Sequence, residues 1–356
     1  MTGTAIVVGA GIGGLATAVG LRAAGWDVEV RERAPARPAT GTSLGLWPGG
    51  LHALDALGLG DTARARSRAA ADGRFVRADG ALIGNVDMAA LRRRTGDAVR
   101  VISRPALLGA LSDALDDGVV RYGEPVPDVR ALTSRYDVVV AADGLRSRAR
   151  TVLFGDAHRP RYCGVTAWHG TADVDAPGMT ETWGDSARFG VTPRAGGRAN
   201  WFACVRAPER ATPAGGELAA LHRRFGGWHP GVREILDHLG EASVHRNDLY
   251  DLAVPLPAYV SGNIALVGDA AHAMTPDLGR GACEALADAV ALTRRLTART
   301  RVPEALTAYD ATRRPATQRL ARAARLLNRA VHTRLPVAPA RDAAMRLFLT
   351  AGRPPA

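Results

Sequence analysis

Three carboxylates in this chain stand at the ends of short apolar runs: Glu32 after "WDVEVR", Asp143 after "YDVVVAA" and Asp269 in "NIALVGDA". Runs rich in Val, Ile and Ala have the composition of strands buried on both faces of a parallel sheet. The carboxyl ends of such strands form the edge at which α/β proteins bind ligands. A carboxylate there can accept hydrogen bonds from the hydroxyls of a sugar or sugar alcohol. It can also cap the following helix, and Asp143, beside Gly144, reads equally well either way. Nucleophilic chemistry is poorly supplied. All 46 basic residues are Arg, so no Lys is present to act as base, nucleophile or Schiff-base former. The three cysteines, Cys163, Cys204 and Cys283, are far apart and lack the spacing of a metal site or redox pair. No metal is expected.

The elements that must position these groups are legible at the amino terminus. "TAIVVGAGIGGLATAVGLRAAGWDVEVRER" reads as strand, turn, helix and strand, with strands over 4–8 and 27–31. Gly9, Gly11 and Gly14 form G-x-G-x-x-G: one glycine for the turn, one for approach of a diphosphate, one for helix–strand packing. The helix start then offers free N–H groups and a partial positive charge. Glu32 closes the second strand, where it can take both hydroxyls of an adenosine ribose. An acid at that place disfavours a 2′-phosphate, so FAD or NAD is expected there over NADP. In the third segment a strand over 264–268 ends at Asp269, Gly279 and Gly281 keep the backbone bare for a planar ligand, and a helix begins near Arg280 or Gly281. Such a helix start can stabilise negative charge on a reduced heterocycle.

The 356 residues suggest two structural units, and a 47% hydrophobic composition is enough for a sizeable core. The net charge of +11 is spread along the chain rather than gathered into a patch, so no nucleic-acid partner is expected. No apolar run is long enough to span a membrane. The dispersed cysteines suggest free thiols in a reducing compartment, and a cytoplasmic protein is expected.

Taken together, "GAGIGG", Glu32, "ISRPALLGAL", "ADGLRSRAR", "YDLAVPLPAYVSGNIALVGDAAH", "MTPDLGRGACEALADA" and "LTAYDATRRPATQRL" resemble the FAD-dependent aromatic hydroxylases of the p-hydroxybenzoate hydroxylase type. The resemblance covers nearly the whole chain and is greatest to the branch with salicylate hydroxylase, urate hydroxylase and zeaxanthin epoxidase. It implies an α/β, Rossmann-like FAD-binding domain with a smaller antiparallel β-sheet substrate domain and C-terminal helices. The FAD-binding domain would comprise 1–72, 98–158 and 262–330, the substrate domain 73–97 and 159–261, and a helical tail 331–356. The implied cofactor is FAD, with NADH or NADPH as transient co-substrate and no separate nicotinamide domain. The implied reaction is monooxygenation by O2 through a flavin C4a-hydroperoxide, acting on a small aromatic or heteroaromatic molecule. Olefin epoxidation by the same route is the first alternative; an oxidase, a dehydrogenase or a non-catalytic flavoprotein are others. A monomer or homodimer is expected.

Carried over by position, the resemblance assigns FAD contacts to Gly9, Gly11, Gly13, Gly14, Glu32, Arg33, Arg104, Asp143, Gly144, Asp269, Pro276, Gly279, Gly281 and Ala282. Arg104 belongs to the "R-x-x-L" stretch, Asp269 would hold the ribityl chain, and Asp143–Gly144 is tied to NAD(P)H use. His272 would lie beside the cofactor rather than act as base. Three departures stand out. Gly49 replaces an Asn usual after Trp-Pro. "VVRYGEPVPDVRALTSRYDVVV" leaves little room for a hairpin. Arg280 replaces a usual Gln in "GRG", where it adds positive charge or, as expected here, points into solvent. The runs "YCGVTAWHGTADV", "MTETWGDSARFGVTP" and "RANWFACVRA" suit an antiparallel sheet. From them Trp168, His169, Trp183, Arg188 and Trp201 are candidates for the substrate pocket, and the catalytic residue is not identified. The tail, with helical apolar spacing, is expected to pack across both units.

Overall fold

A computed structural model describes residues 3–194, 196–298, 301–332 and 338–350. The chain opens with β1 (Thr4–Val8), α1 (Ile12–Ala23), β2 (Asp27–Glu32), β3 (Ser43–Leu46), α2 (Pro48–Ala56), α3 (Gly60–Ala65) and β4 (Ser67–Ala69). It continues with β5 (Gly73–Arg77), β6 (Leu82–Val86), α4 (Met88–Thr95), β7 (Arg100–Ser103), α5 (Arg104–Ser112), β8 (Val120–Tyr122), β9 (Val138–Ala141) and α6 (Arg148–Phe154). Then come β10 (Pro160–Ala172), β11 (Met179–Trp183), β12 (Ala187–Arg194), β13 (Arg198–Arg206), α7 (Gly216–Phe225), α8 (Pro230–Asp237) and β14 (His245–Leu252). The last elements are β15 (Val260–Ser261), β16 (Ile264–Leu266), α9 (Asp269–His272), α10 (Gly281–Thr297), α11 (Val302–Val331) and α12 (Ala338–Thr350).

The six-stranded sheet has the order β15-β16-β9-β1-β2-β8, and every pair except β15–β16 is parallel. From β1 the chain moves outward to β2 and β8, then returns to the other side of β1 for β9 and β16. The order therefore reverses at β1, which makes the carboxyl edge beside it a topological switch point. Four neighbouring parallel strands, β16, β9, β1 and β2, end at that edge. β1 and β9 are almost wholly buried, as their Val, Ile and Ala content requires. Between β8 and β9 there is only a single 3-10 turn, Val129–Leu132, in place of a hairpin.

Close packing of helices holds this layer together. Gly14 lies so near the preceding turn that a Cβ would sit 2.0 Å from the Gly9 carbonyl oxygen. α1 lies on α10 through small residues, and a Cβ on Gly13 would touch that of Ala285 at 3.5 Å.

The seven-stranded sheet runs β14-β10-β13-β12-β11-β5-β6, antiparallel except for β11–β5. Side chains alternate across it with period two. Trp168, Ala187, Phe189, Trp201 and Ala203 make a core with Leu221 and Phe225 of α7 and Val232, Ile235 and Leu236 of α8. The other face carries Arg188, Phe202 and Cys204. A small sheet, β3-β7-β4, lies between the two large ones. Its Ser43 Oγ hydrogen-bonds Asn200 Oδ1 of β13 at 2.5 Å, and Arg68 Nη1 donates to the Arg194 carbonyl at 3.1 Å.

α11 packs across both large layers. Tyr309 Oη donates to the Leu266 carbonyl at 2.9 Å, and Arg325 Nε reaches Asp251 of β14 at 2.6 Å. α12 instead lies on β6, clamped by Arg77 Nε to Asp342 at 2.9 Å. The rest of the tail, 333–337 and 351–356, lies outside the described residues.

The Gly14 contact gives a direct stability test. Gly14→Ala should destabilise the apo-protein by roughly 1–3 kcal/mol through overpacking. A urea midpoint unchanged from wild type would contradict the packing described.

Candidate functional site

The ends of β16, β9, β1 and β2 bring Asp269, Asp143, Gly9–Gly14 and Glu32 to one edge, in that spatial order. The ladders continue past the strand ends: Gly9 N donates to the Arg31 carbonyl (2.8 Å), Ala142 N to Val8 (2.8 Å) and Val267 N to Ala141 (3.1 Å). Gly9 has φ +108°, and a Cβ there would meet the Ala142 carbonyl oxygen at 2.5 Å. The first turn therefore nests directly against the Asp143 turn, which needs glycine.

The residues present fit a dinucleotide. A Cβ built on Gly11 meets nothing within 4 Å, so the backbone between β1 and α1 is open to a ligand. Glu32 lies beside that turn, with Oε2 accepting from Ala10 N and Oε1 from Ala34 N, both at 2.8 Å. Each oxygen keeps a lone pair for further donors. Asp143 does two things at once. Its Oδ2 accepts from Ala149 N at 3.0 Å at the start of α6, while its Oδ1 is buried with no partner. Arg33 and Arg104 are exposed.

Asp269 stands deep in the concave edge, yet its side chain is open to solvent. Crowding by protein raises its pKa, against the pull of His272, Arg104 and Arg150. Gly279 has φ +60° and its carbonyl faces Gly45 of β3. Gly281 and Ala282 begin α10, and Pro276 is exposed on the loop before it.

Beneath these loops lies a charged framework that sequence reasoning missed. Arg150 is buried, and its Nη1 donates to the carbonyls of Asp269 (3.2 Å) and Ala270 (3.1 Å) while Nη2 donates to Leu145 (2.5 Å). One guanidinium thus ties the Asp143 turn to the Asp269 turn. Burial lowers its pKa, with Asp143 and Asp269 opposing. Along α10, Arg280, Glu284 and Asp288 occupy successive turns of one face. Glu284 accepts from Arg280 (3.1 Å) and from Arg313 of α11 (2.6 Å). Asp288 accepts from Arg313 (2.6 Å), from the Gly268 N–H (2.8 Å) and from His272 Nε2 (2.5 Å). Arg280 is therefore buried against Glu284, which corrects the expectation that it points into solvent. The sequence signal was present: acids at 284 and 288 among alanines on a buried helix face demand cationic partners.

His272 lies below the Asp269 turn, as an ion-paired group. Burial alone would lower its pKa, but Asp288 and then Asp269 raise it above the ordinary value. Burial would raise that of Asp288, but His272 and Arg313 hold it below the ordinary range.

The five pocket candidates separate. Trp168 and Trp201 sit in the core under α7 and α8, on the face opposite Arg188. Trp168 Nε1 donates to Glu217 of α7 at 2.6 Å, and Trp201 stacks on Phe189 at 5.8 Å. Period-two alternation pairs them on one face, but sequence alone does not say which face the helices cover. Trp183, on the other face, packs on Phe75 at 5.4 Å with Arg341 over its ring at 5.2 Å. His169 Nε2 accepts from Asn247 Nδ2 at 2.6 Å, and burial followed by His245 lowers its pKa to about 4. Arg188 reaches furthest towards the ligand edge. It is buried, lies over the Phe202 ring at 5.4 Å, and pairs with Glu181 (3.2 Å) and with Asp277 of the Pro276–Gly279 loop (3.1 Å). Asp277 was not foreseen. Among the described residues no cluster is suited to a metal, and no helix is long and apolar enough to cross a membrane.

Fold and edge together define a dinucleotide-binding α/β protein, and its likenesses to known proteins make it an FAD-binding oxidoreductase. Residues 238–324 match the family model described as an FAD binding domain. The chain is 34% identical to the aurachin C monooxygenase/isomerase of Stigmatella aurantiaca, over 87% of this chain and 85% of that one. It is 35% identical to the 3-amino-4-hydroxybenzoate 2-monooxygenase of Streptomyces cremeus, over 96% and 91%. Among solved structures it resembles HpxO of Klebsiella pneumoniae complexed with FAD and uric acid, with TM-score 0.88, 27% identity, and coverage of 98% and 95%. The chain belongs to the FAD-dependent aromatic hydroxylase and monooxygenase family.

The His272–Asp288 pair makes stability depend on pH. A group whose pKa is raised by folding stabilises below its unfolded value, and that contribution fades as pH rises through the folded value. Wild type should therefore lose stability above the ordinary His value of about 6.5, and His272→Gln should lack this component. Urea midpoints from neutral to alkaline pH check this; parallel curves for the two proteins would contradict it.

Proposed function

We propose that the protein uses NADH or NADPH and O2 to hydroxylate an aromatic or heteroaromatic small molecule. The observation that carries this reading is the convergence of four strand ends on one edge, facing a second sheet whose Arg188 reaches back to Asp277. The molecules named with the relatives, 3-amino-4-hydroxybenzoate and uric acid, are an aromatic and a heteroaromatic ring.

In this reading the backbone at Gly9, Gly11, Gly13 and Gly14 receives the diphosphate, and Glu32 accepts from the adenosine ribose. Arg33 and Arg104 supply positive charge at the edge. The Asp143–Gly144 turn borders the cofactor, and Asp269 accepts from the ribityl hydroxyls. Pro276, Gly279, Gly281 and Ala282 bring bare backbone and the start of α10 to the ring system. FAD supplies the activation of O2 when reduced by the nicotinamide. The chain's own part is to bind, orient and keep water out. Arg188, held by Glu181 and Asp277, offers a fixed guanidinium to an electron-rich ring.

Two variants test the cofactor assignments. Gly11→Val should fold normally, because nothing in the protein crowds that position, yet lose FAD affinity by tenfold or more, about 1.4 kcal/mol. Asp269→Ala should likewise stay folded and lose FAD. Normal flavin content in either would overturn its assignment.

The reaction is tested by aerobic oxidation of NADH and NADPH over a panel of phenols, purines and hydroxybenzoates, with 18O2 for any stimulating compound. Label in the product is the expected result. Stimulated oxidation that leaves every product unlabelled would rule out oxygen transfer.

A further inference from the structure

A cavity of about 270 Å³ opens between β10, β14 and the C-terminal half of α11. It is distinct from the strand-end edge, but its lining includes Thr275, the residue before Pro276. β10 makes room for it with a register shift between Tyr162 and Thr166.

The lining has a definite sign. Asp251 is buried and holds two arginines, Arg161 at 3.1 Å and Arg325 at 2.6 Å. A third, Arg329, is exposed and makes no ion pair among the described residues. Three guanidinium groups against one carboxylate leave two positive charges around a small volume. The Thr275 hydroxyl is buried and has no hydrogen-bond partner. The Tyr162 and Tyr250 rings, 5.8 Å apart, lie on the opposite face of the sheet from Arg161 and Asp251, where the 2.7 Å bond of the Tyr162 hydroxyl to the Ala207 carbonyl anchors the bulged strand behind the cavity. Donors without acceptors and surplus positive charge select a small acceptor-rich anion.

We propose that this cavity binds a small carboxylate or comparably charged organic anion, with its charge on Arg329 and the neighbouring arginines. Its link to catalysis rests on the monooxygenase reading; the site itself does not. The anion is either the substrate on its way to the flavin or a separate effector, and the two share this chemistry.

The test uses the FAD-loaded protein and sodium 4-fluorobenzoate, followed by 19F NMR. Binding should saturate, weaken at high salt, and weaken about tenfold or more in Arg329→Glu, a surface change that spares the core. Thr275→Val, which keeps the shape, should also weaken it. Cys163 lines the same cavity, whereas Cys204 and Cys283 are buried. The probe should therefore slow alkylation of Cys163 by iodoacetamide. A shift of flavin absorption on binding assigns the anion to the substrate; protection of Cys163 without a shift assigns it to an effector. Absence of saturable binding, unchanged affinity in Arg329→Glu, or unprotected Cys163 would overturn the proposal. FAD content measured in every variant separates such a failure from a failure of the monooxygenase reading.

Discussion

The structure depends on one topological constraint: the reversal of strand order at β1. Parallel pairing forces β16, β9, β1 and β2 to end at the same edge. The reversal opens a crevice there because the loops after β1 and β9 lead away in opposite directions. Four segments from distant parts of the sequence thereby meet without any one of them having to be long. The turns after β1 and β9 touch so closely that Gly9 cannot carry a side chain. That contact makes two loops a single rigid rim.

Charge fixes the rest of the rim in place. Arg150 holds the Asp143 and Asp269 turns by their carbonyls, and the α10 face couples Arg280, Glu284, Arg313, Asp288 and His272. Buried ion pairs are weak sources of stability because desolvation offsets much of their attraction. Their value here is geometric. Asp288 orients both the Gly268 N–H and His272, so the Asp269 turn is built from beneath. A rim held this way is a preformed binding surface, which lowers the ordering that a ligand must impose.

Much of this is legible in the sequence. The βαβ unit, Glu32, Asp143 and Asp269 follow from apolar runs that stop at acids. Those runs are local, and strand, glycine turn, helix and terminal acid fall in register within some thirty residues of the amino terminus. The antiparallel strands are legible because their patterning is local too. Trp168 and Trp201 are misplaced by sequence because alternation pairs side chains on a face without naming the face, and only the position of α7 and α8 decides it. Arg280 is misplaced because its partner Glu284 gains meaning only with Arg313, which is brought from another helix. The Arg188–Asp277 pair joins the two layers from distant parts of the chain, and no local pattern carries such information.

One cofactor seated along that edge is what the four strand ends have in common. The most direct measurement is the visible spectrum of the purified protein, followed by titration of FAD into flavin-free material with fluorescence as readout. A flavin spectrum, or saturation at one FAD per chain, is the predicted result. A colourless protein that leaves added FAD unbound would contradict the reading of all four strand ends together.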